Sequence, residues 1–396
     1  MKEDSKYHSS LIIYYPMILM ISYWVITKAG LPFVDQMSAF FNVKHQSIQR
    51  ILSLSLIISS LSPLVWGPLI DRIGLKRFVV IASIISFVVT CLMLIVQNVF
   101  LFGFAYILAT TIIFSLAVCS RSFPFIYFDS VIQKQKSIGI TFMGVYFCSF
   151  MVPLISGWIG YYLSWQFGYA LVLLWLIITF LCMMLINNKQ DEQASRVSFL
   201  QNALAMVNHL KTQGFLKNVL FVSILNGLAW TYIIVLPFWL AQGFDVSSKY
   251  LALYLFPLAL PGLVCPVLVK FLESFLTKQQ IIKCSIFIFL LGGISAVIIG
   301  LFSWHIAYIY IIPGVVMNLA SAMAFAIVST IAYSNVKSHF NAASSLFSLI
   351  SYFGFGLIVF IESYISLTNY YFEGIFVIVA GIILWFLKLN STVKKA

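Results

Sequence analysis

Twelve long apolar runs constrain this chain more than any other feature of its sequence. A helix needs roughly 20 apolar residues to cross about 30 Å of hydrocarbon, and a stretch such as "VVIASIISFVVTCLMLIV" lacks the alternation of membrane β-strands. Only 9% of the residues are charged, against about a quarter in soluble domains. We therefore predict an all-α membrane protein with twelve transmembrane spans, at residues 11–28, 46–68, 78–97, 103–127, 138–161, 166–186, 218–241, 250–270, 281–302, 307–332, 343–366 and 371–388.

The basic residues predict the orientation of these spans. The net charge is +12, and 18 of the 23 Lys and Arg residues fall in segments that are cytoplasmic if the N-terminus is cytoplasmic. Basic residues concentrate on the cytoplasmic side of membrane proteins, so we predict that both termini lie there, in a bacterial inner (plasma) membrane. This distribution also favours contact with anionic membrane lipid and argues against nucleic acid as a partner.

The longest polar stretch divides the spans into six and six. We predict an N-terminal six-helix bundle over 1–186, a cytoplasmic linker over 187–217 and a C-terminal six-helix bundle over 218–396. Apolar residues at helical spacing between Val197 and Leu210 favour a short amphipathic helix on the inner membrane face. A flexible tether is the alternative for this segment.

Two charged pairs indicate that the halves are repeats of each other. Asp71 and Lys76, after the second span, recur at an offset of 202 residues as Glu273 and Lys278, after the eighth span. Parallel repeats of this kind support two bundles that rock about a site near the middle of the membrane. We therefore predict a pseudo-symmetric pair of bundles, with Glu273 and Lys278 as the second-half gate.

The stretch "GPLIDRIGLKR" (67–77) concentrates charge between the second and third spans. A glycine at position 67 lets another helix approach closely, and Gly74 permits a tight turn. The Asp71 carboxylate can meet the positive N-terminal end of a neighbouring helix. The bases Arg72, Lys76 and Arg77 can pair with Asp71 or with Asp129. A loop that only sets topology is the alternative, but it explains neither the glycines nor the acid.

This stretch resembles the loop signature of the major facilitator superfamily, Gly-x-Leu-x-Asp-Arg-x-Gly followed by bases. "LPFVDQM" (31–37) and "FVVTCLMLIVQNV" (87–99) resemble the drug/proton antiporter group of that family, which includes Bcr/CflA and MdfA-type multidrug exporters. The resemblance implies the twelve-helix fold of two six-helix bundles. It also implies that Asp71 latches the cytoplasmic side against the start of the eleventh span, where Asn341 is a plausible helix cap.

The chain departs from the antiporter pattern where protons would be carried. The first span, "ILMISYWVITKAG" (18–30), has no acid, and "YILAT" (106–110) lacks the usual Arg of the fourth span. Proton coupling therefore stays open. Arg121, inside the fourth span, either reaches the cytoplasmic side or pairs with Asp129, or it lines the inner cavity, where it would favour an anionic substrate. We expect Lys28 and Glu362 to be interfacial residues at the outer ends of their spans. The alternatives are a substrate contact for Lys28 and a proton carrier for Glu362.

The resemblance implies that spans 1, 4, 7 and 10 line the transport pathway. Aromatic and polar side chains on these spans and on the fifth favour a site for bulky, partly apolar organic molecules. The candidate cavity residues are Tyr15, Tyr23, Trp24, Tyr106, Arg121, Tyr146, Asn226, Trp230, Tyr232 and Asn318.

These observations predict a secondary transporter that exports amphipathic organic compounds and acts as a monomer. The sequence leaves open whether a proton is the coupling ion. Transport of an anionic metabolite or siderophore is the first alternative, and a transport-dead receptor or scaffold is the second. The sequence holds no GxxxxGK[ST] loop for ATP and no spacing typical of a metal site or catalytic nucleophile. We therefore expect no enzyme activity, no cofactor and no metal.

Overall fold

A computed structural model of the chain describes residues 2–128, 130–186, 214–302, 306–334, 340–362 and 370–386. Every regular element in these ranges is helical, so the all-α prediction is confirmed. The helices of the first half are α1 (Lys2–Ala29), α2 (Val34–Phe40), α3 (His45–Leu61), α4 (Pro63–Ile73), α5 (Leu75–Ile95), α6 (Val99–Tyr127), α7 (Val131–Tyr162), α8 (Trp165–Gly168) and α9 (Ala170–Leu185).

The second half continues with six helices in the described ranges. A short 3-10 turn, Ala307–Tyr310, precedes the fourth of them. The helices are α10 (Phe215–Phe244), α11 (Ser248–Leu272), α12 (Lys278–Phe302), α13 (Ile311–Ser334), α14 (Phe340–Glu362) and α15 (Tyr371–Phe386).

The described helices account for all twelve predicted spans. Nine segments are long and apolar enough to cross a membrane. Three shorter apolar helices, Lys249–Cys265, Leu346–Ile361 and Tyr371–Phe386, lie where we predicted the eighth, eleventh and twelfth spans. The chain is therefore an integral multi-pass membrane protein.

The second span and the charged stretch after it differ from the prediction. The single predicted helix is broken at Ser62, because Pro63 at the start of α4 has no N–H to continue the hydrogen-bonding pattern of α3. The stretch 67–77, which we predicted as a loop, is helical except at Gly74. The charged residues after the second span therefore sit on helix ends rather than on a loop.

The helices form two compact units. One holds the described residues of Met1–Phe33 and Ile58–Ala203, and the other holds those of Val34–Ile57 and Leu204–Ala396. Most of the predicted linker 187–217, including the proposed amphipathic helix, lies outside the described residues. The predicted division into 1–186, 187–217 and 218–396 therefore stays a prediction.

In the first unit, α1 is held by side chains that bond to its backbone carbonyls. Ser120 of α6 donates to the carbonyl of Pro16 (2.5 Å), and Ser137 of α7 donates to that of Ile13 (2.9 Å). Trp175 of α9 donates to the carbonyl of Ile18 (3.0 Å). Hydrogen bonds from side chains to neighbouring helices stabilise helix association in membranes, so α6, α7 and α9 each hold α1.

In the second unit, glycines bring α14 close to two other helices. A Cβ on Gly354 would lie 1.7 Å from the Ser223 hydroxyl of α10. A Cβ on Gly356 would lie 2.8 Å from the backbone nitrogen of Ile57 in α3. Ser223 itself donates to the carbonyls of Ile350 and Ser351, at 3.3 Å each. Small residues permit such close crossings in membranes.

Candidate functional site

The junction of α4 and α5 is built around one glycine and one lysine. Gly74 has φ +89° and ψ 141°, a backbone conformation that L side chains rarely adopt. This positive φ lies at the glycine where we predicted a turn. The Lys76 ammonium donates a hydrogen bond of 2.5 Å to the carbonyl of Ile186, directly after α9. This contact places a positive charge at the negative end of the α9 dipole.

The predicted latch of Asp71 on the start of the eleventh span stays a prediction. The side chains of Asp71 and Asn341, and the whole of Asp129, lie outside the described residues. Arg72 and Arg77 are exposed. A Cβ built on Gly67 would meet no atom of the described residues within 4 Å. The close helix approach that we predicted at Gly67 stays a prediction.

The matching junction in the second half has a different construction. Thr277 and Gln280 form a reciprocal cap at the start of α12. The backbone N–H of Thr277 donates to Gln280 Oε1 (2.8 Å), and the backbone N–H of Gln280 donates to Thr277 Oγ1 (3.3 Å). Glu273 is exposed at the end of α11, and Lys278 is half-buried in the first turn of α12. Both junctions carry an acid and a lysine five residues later. A glycine with positive φ joins the helices of the first junction, and the Thr277–Gln280 cap begins the second helix of the other.

Three of the candidate cavity residues are packed inside the first unit. The Tyr15 hydroxyl donates to the carbonyl of Thr179 (3.0 Å), and the Tyr15 side chain is 0% exposed. Tyr23 packs edge-on against Phe114, with ring centroids 4.7 Å apart. Tyr106 stacks on Phe102 at 6.0 Å. Burial and these contacts place the three tyrosines in helix packing.

Three other candidates of the first half keep part of their surface open. Trp24 of α1, Arg121 of α6 and Tyr146 of α7 are each half-buried. An arginine inside a span costs about 2.5 to 3.5 kcal/mol to insert, so the place of Arg121 in α6 calls for water, a partner or a ligand. These three residues remain candidates for substrate contact.

The second half brings two helices of the predicted pathway together through polar side chains. The Ser321 hydroxyl of α13 donates to Asn226 Oδ1 of α10 at 2.7 Å. Asn226 also donates to the carbonyl of Val222 (2.9 Å), and Asn318 donates to that of Gly314 (2.8 Å). Asn226 and Asn318 are half-buried, as is Trp230 one turn beyond Asn226. We name Asn226, Trp230, Asn318 and Ser321 the polar site.

Tyr232 is not part of the polar site. Its side chain is 0% exposed, and its hydroxyl donates to the carbonyl of Tyr310. The sequence pattern did not separate it from Trp230, two residues earlier, because both fall on an apolar span. Burial therefore assigns Tyr232 to packing.

Lys28 is placed differently from the expectation. We expected an interfacial side chain, but Lys28 is only 3% exposed, and its Nζ lies 5.8 Å from the centroid of the Trp24 ring. A cation over an indole face is stabilised by the ring quadrupole. The first unit thus holds one buried basic group, Lys28, besides the half-buried Arg121.

One buried acid, Glu373, was not predicted from the sequence. It lies in the first turn of α15 and is 0% exposed. The signal in the sequence was its position inside the predicted span 371–388, because acids within membrane spans are rare and often functional. The expected interfacial acid, Glu362, has a side chain outside the described residues.

The described residues offer no group of three or more His, Cys, Asp or Glu side chains that could hold a metal ion. The six cysteines, all within the described ranges, are free thiols. The site is therefore built from amide, hydroxyl, aromatic and basic groups.

Comparison with known proteins gives one family and two related folds. The sequence model described as Major Facilitator Superfamily matches residues 17–359. The crystal structure of a mutant of the nucleoside transporter NupG is similar, with 13% identity, a TM-score of 0.72 and coverage of 95% of this chain and 98% of that chain. A D-xylose-proton symporter has 11% identity, a TM-score of 0.74 and coverage of 96% and 98%. No curated protein sequence matches the chain.

Proposed function

This chain belongs to the major facilitator superfamily, and we propose that it exports amphipathic organic compounds by alternating access of its two halves. The family consists of membrane transporters and not of enzymes. We also propose that the protein acts as a monomer in contact with lipid, and that both termini lie on the cytoplasmic side of a bacterial inner membrane.

The polar site is the observation that carries this proposal. It joins α10 and α13 through the Ser321 to Asn226 hydrogen bond, inside spans that are largely apolar. Small-molecule sites are lined mostly by apolar and aromatic groups, with a few polar groups that fix orientation. The half-buried indole of Trp230, one helical turn from the Asn226 amide, agrees with this description. Such a set favours a ligand with one polar group on an aromatic or aliphatic body.

Export is supported by the resemblance of three stretches to the drug/proton antiporter group. "LPFVDQM", "GPLIDRIG" and "FVVTCLMLIVQNV" carry that resemblance. The two similar solved structures are named for a nucleoside and for D-xylose with a proton. At 11 to 13% identity they share the fold alone, so these two compounds enter the test as competitors.

Transport of an anionic compound is the second candidate, and two basic residues favour it. Arg121 is half-buried within α6, and Lys28 is almost fully buried at the end of α1. No acid accompanies them in the first span. A carboxylate or similar anion would be stabilised near such groups, whereas a cationic drug would be repelled.

The test is an accumulation assay in cells that lack other exporters. A panel of cationic, neutral and anionic dyes is measured with and without a proton uncoupler, and nucleosides and D-xylose are added as competitors. We expect lower dye accumulation in cells with the protein, and a loss of this effect in Trp230→Ala. Tyr15→Phe serves as the control, because that side chain is packed away from solvent.

The outcomes separate the candidates. Arg121→Gln is expected to leave export of neutral dyes intact, and selective loss of anion transport in this variant would favour the anionic substrate. An absence of flux for every compound, both in cells and in proteoliposomes, would contradict the proposed transport. A membrane receptor or scaffold would then be the remaining hypothesis.

A further inference from the structure

Glu373 lies on the inward face of the last described helix. The buried residues of α15 are Glu373, Gly374, Val377, Gly381 and Leu384. A Cβ on Gly374 would lie 2.7 Å from the backbone nitrogen of Val297, so this face is pressed against α12. The carboxyl group therefore points into the second unit and away from lipid.

Tyr370, which is close to this carboxyl group, packs against three other aromatic residues, and we name the four the aromatic cluster: Tyr232, Trp239, Tyr310 and Tyr370. The Tyr370 ring lies 4.4 Å from Trp239, 4.6 Å from Tyr310 and 5.8 Å from Tyr232, measured between ring centroids. Tyr370 directly precedes α15 and stands three residues before Glu373. Residues three apart at a helix start share one side.

Two hydroxyls of the aromatic cluster converge on one carbonyl. Tyr370 donates to the carbonyl of Tyr310 at 2.9 Å, and Tyr232 donates to the same carbonyl. Burial raises the pKa of the Tyr370 phenol, and the nearby Glu373 carboxylate raises it further. Tyr310 leads into α13 and Tyr232 belongs to α10. Glu373 therefore acts on Tyr370, and the ring and hydroxyl of Tyr370 contact α10 and the turn before α13.

Among the described residues, few other ionisable groups lie on the elements that pack against Glu373. The part of α12 that faces the start of α15, Gly292–Phe302, contains no ionisable residue. The phenols of Tyr232, Tyr310 and Tyr370 come from α10, the turn before α13 and the residue before α15, and Tyr371 lies on α15 itself. Asp245, at the end of α10, is exposed. Within the described part of the chain, Glu373 is thus the buried acid of this region.

We propose that Glu373 is a proton-binding residue of the transport cycle, whose change of charge acts on α10 and α13 through the aromatic cluster. The inference rests on the proposed transport function and names the group that couples it to protons. The carboxylate takes one proton from water on one side of the membrane, and the carboxylic acid returns it on the other. Intramembrane acids commonly serve such relays, and the first span offers none.

A purely structural role for Glu373 makes a different prediction. An acid in the first turn of a helix is stabilised by the helix dipole, and Gln can replace Glu in a cap at this position. Glu373→Gln keeps the shape and hydrogen-bonding capacity but cannot release a proton. If Glu373 only caps α15, this variant will transport with the same pH dependence as the wild type.

The first experiment detects the proton without transport. The full-length protein in lipid nanodiscs is treated with dicyclohexylcarbodiimide, which modifies protonated carboxyl groups in apolar surroundings, and the adducts are mapped by mass spectrometry. We expect modification of Glu373 at neutral pH that declines at alkaline pH, with the exposed Asp245 unmodified. A Glu373 that stays unmodified from acidic to alkaline pH would overturn the inference.

The second experiment measures coupling in proteoliposomes, with the dye that gives the strongest flux in cells. A proton moving down about 100 mV supports a gradient of roughly fifty-fold. We expect Glu373→Gln to reduce the proton-driven gradient toward one while dye exchange without a proton gradient persists. Tyr370→Phe should weaken coupling less, and Asp245→Asn should not change it.

The two experiments distinguish failure of the inference from failure of the function. Proton-driven transport that is unchanged in Glu373→Gln would overturn the role of Glu373 and leave the transporter intact. An absence of flux in the wild type would remove the proposed function and, with it, the role of Glu373 in coupling, even if the carboxyl group is modified.

Discussion

The Ser321 hydroxyl donates a hydrogen bond of 2.7 Å to Asn226 Oδ1 and so ties α13 to α10 at mid-span. Asn226 is held in turn by its own bond to the Val222 carbonyl. Two hydrogen bonds therefore fix the orientation of the Asn226 amide, and the Asn226 side chain is half-buried. Oriented amides of this kind provide specificity in apolar sites.

Replacement of Ser321 by Ala should loosen the polar site. Loss of one hydrogen bond costs about 0.5 to 1.5 kcal/mol, so the thermal unfolding midpoint in detergent should fall slightly and the apparent KM for the transported dye should rise. Ser295→Ala is the matched control, because Ser295 bonds only within α12, to the Gly292 carbonyl at 2.8 Å. Equal effects of both variants on KM would contradict a substrate role for the polar site.

Gly74 and Gly67 should respond in opposite directions to the same substitution. Gly74→Ala forces a side chain into a conformation with φ +89° and should destabilise the protein by about 1 to 3 kcal/mol. Gly67→Ala sits in helical backbone with open space around it and should stabilise by about 0.5 to 1 kcal/mol. Thermal unfolding in detergent checks both. A stable Gly74→Ala protein would show that the junction has another backbone conformation.

Lys76 should support the end of α9, whereas Arg77 should not. Lys76→Gln removes the positive charge at the Ile186 carbonyl, a contribution of about 0.3 to 1 kcal/mol. We expect faster amide hydrogen exchange at the C-terminal end of α9 in this variant. Arg77→Gln removes one neighbouring positive charge that is exposed, and it should leave exchange in α9 unchanged. Faster exchange in both variants would indicate that positive charge near this membrane surface matters in general, and not the specific hydrogen bond of Lys76.

Gly356 should tolerate no side chain at the crossing of α14 and α3. A Cβ there would lie 2.8 Å from the Ile57 nitrogen and 3.1 Å from the Ser53 carbonyl oxygen, so the backbones must separate. Overpacking of this kind costs about 1 to 3 kcal/mol. We expect a lower unfolding midpoint for Gly356→Ala, while Gly243→Ala, which meets nothing within 4 Å, stays near the wild type.

Much of the α4–α5 junction could be predicted from sequence, because its constraints are local. A turn at Gly74 is expected because a glycine separates two helical stretches. Basic residues are expected at this junction because they concentrate on the cytoplasmic side of membrane proteins. The role of Lys76 at the Ile186 carbonyl could not be predicted, because the two residues are 110 positions apart. The break at Ser62 was missed, although Pro63 gave a signal for it.

The candidate cavity residues show where the sequence pattern stops being informative. Tyr15, Tyr23, Tyr106 and Tyr232 look like Trp24, Tyr146 and Trp230 in sequence, yet the first four are buried in packing and the last three are half-buried. Aromatic residues serve both as packing groups and as site groups in membranes. Residue type and span number do not separate the two uses.

The sequence by itself determined that this chain is a helical protein that crosses a membrane many times, because the length of an apolar run is matched to the thickness of the hydrocarbon core. Only the tertiary structure decided which side of each helix faces its neighbours. Lipid and protein interior are both apolar, so spans such as α12 and α13 carry little periodicity that marks an inward face. The burial of Lys28 and of Glu373 follows from that packing, and with it the proposed place of the coupling proton.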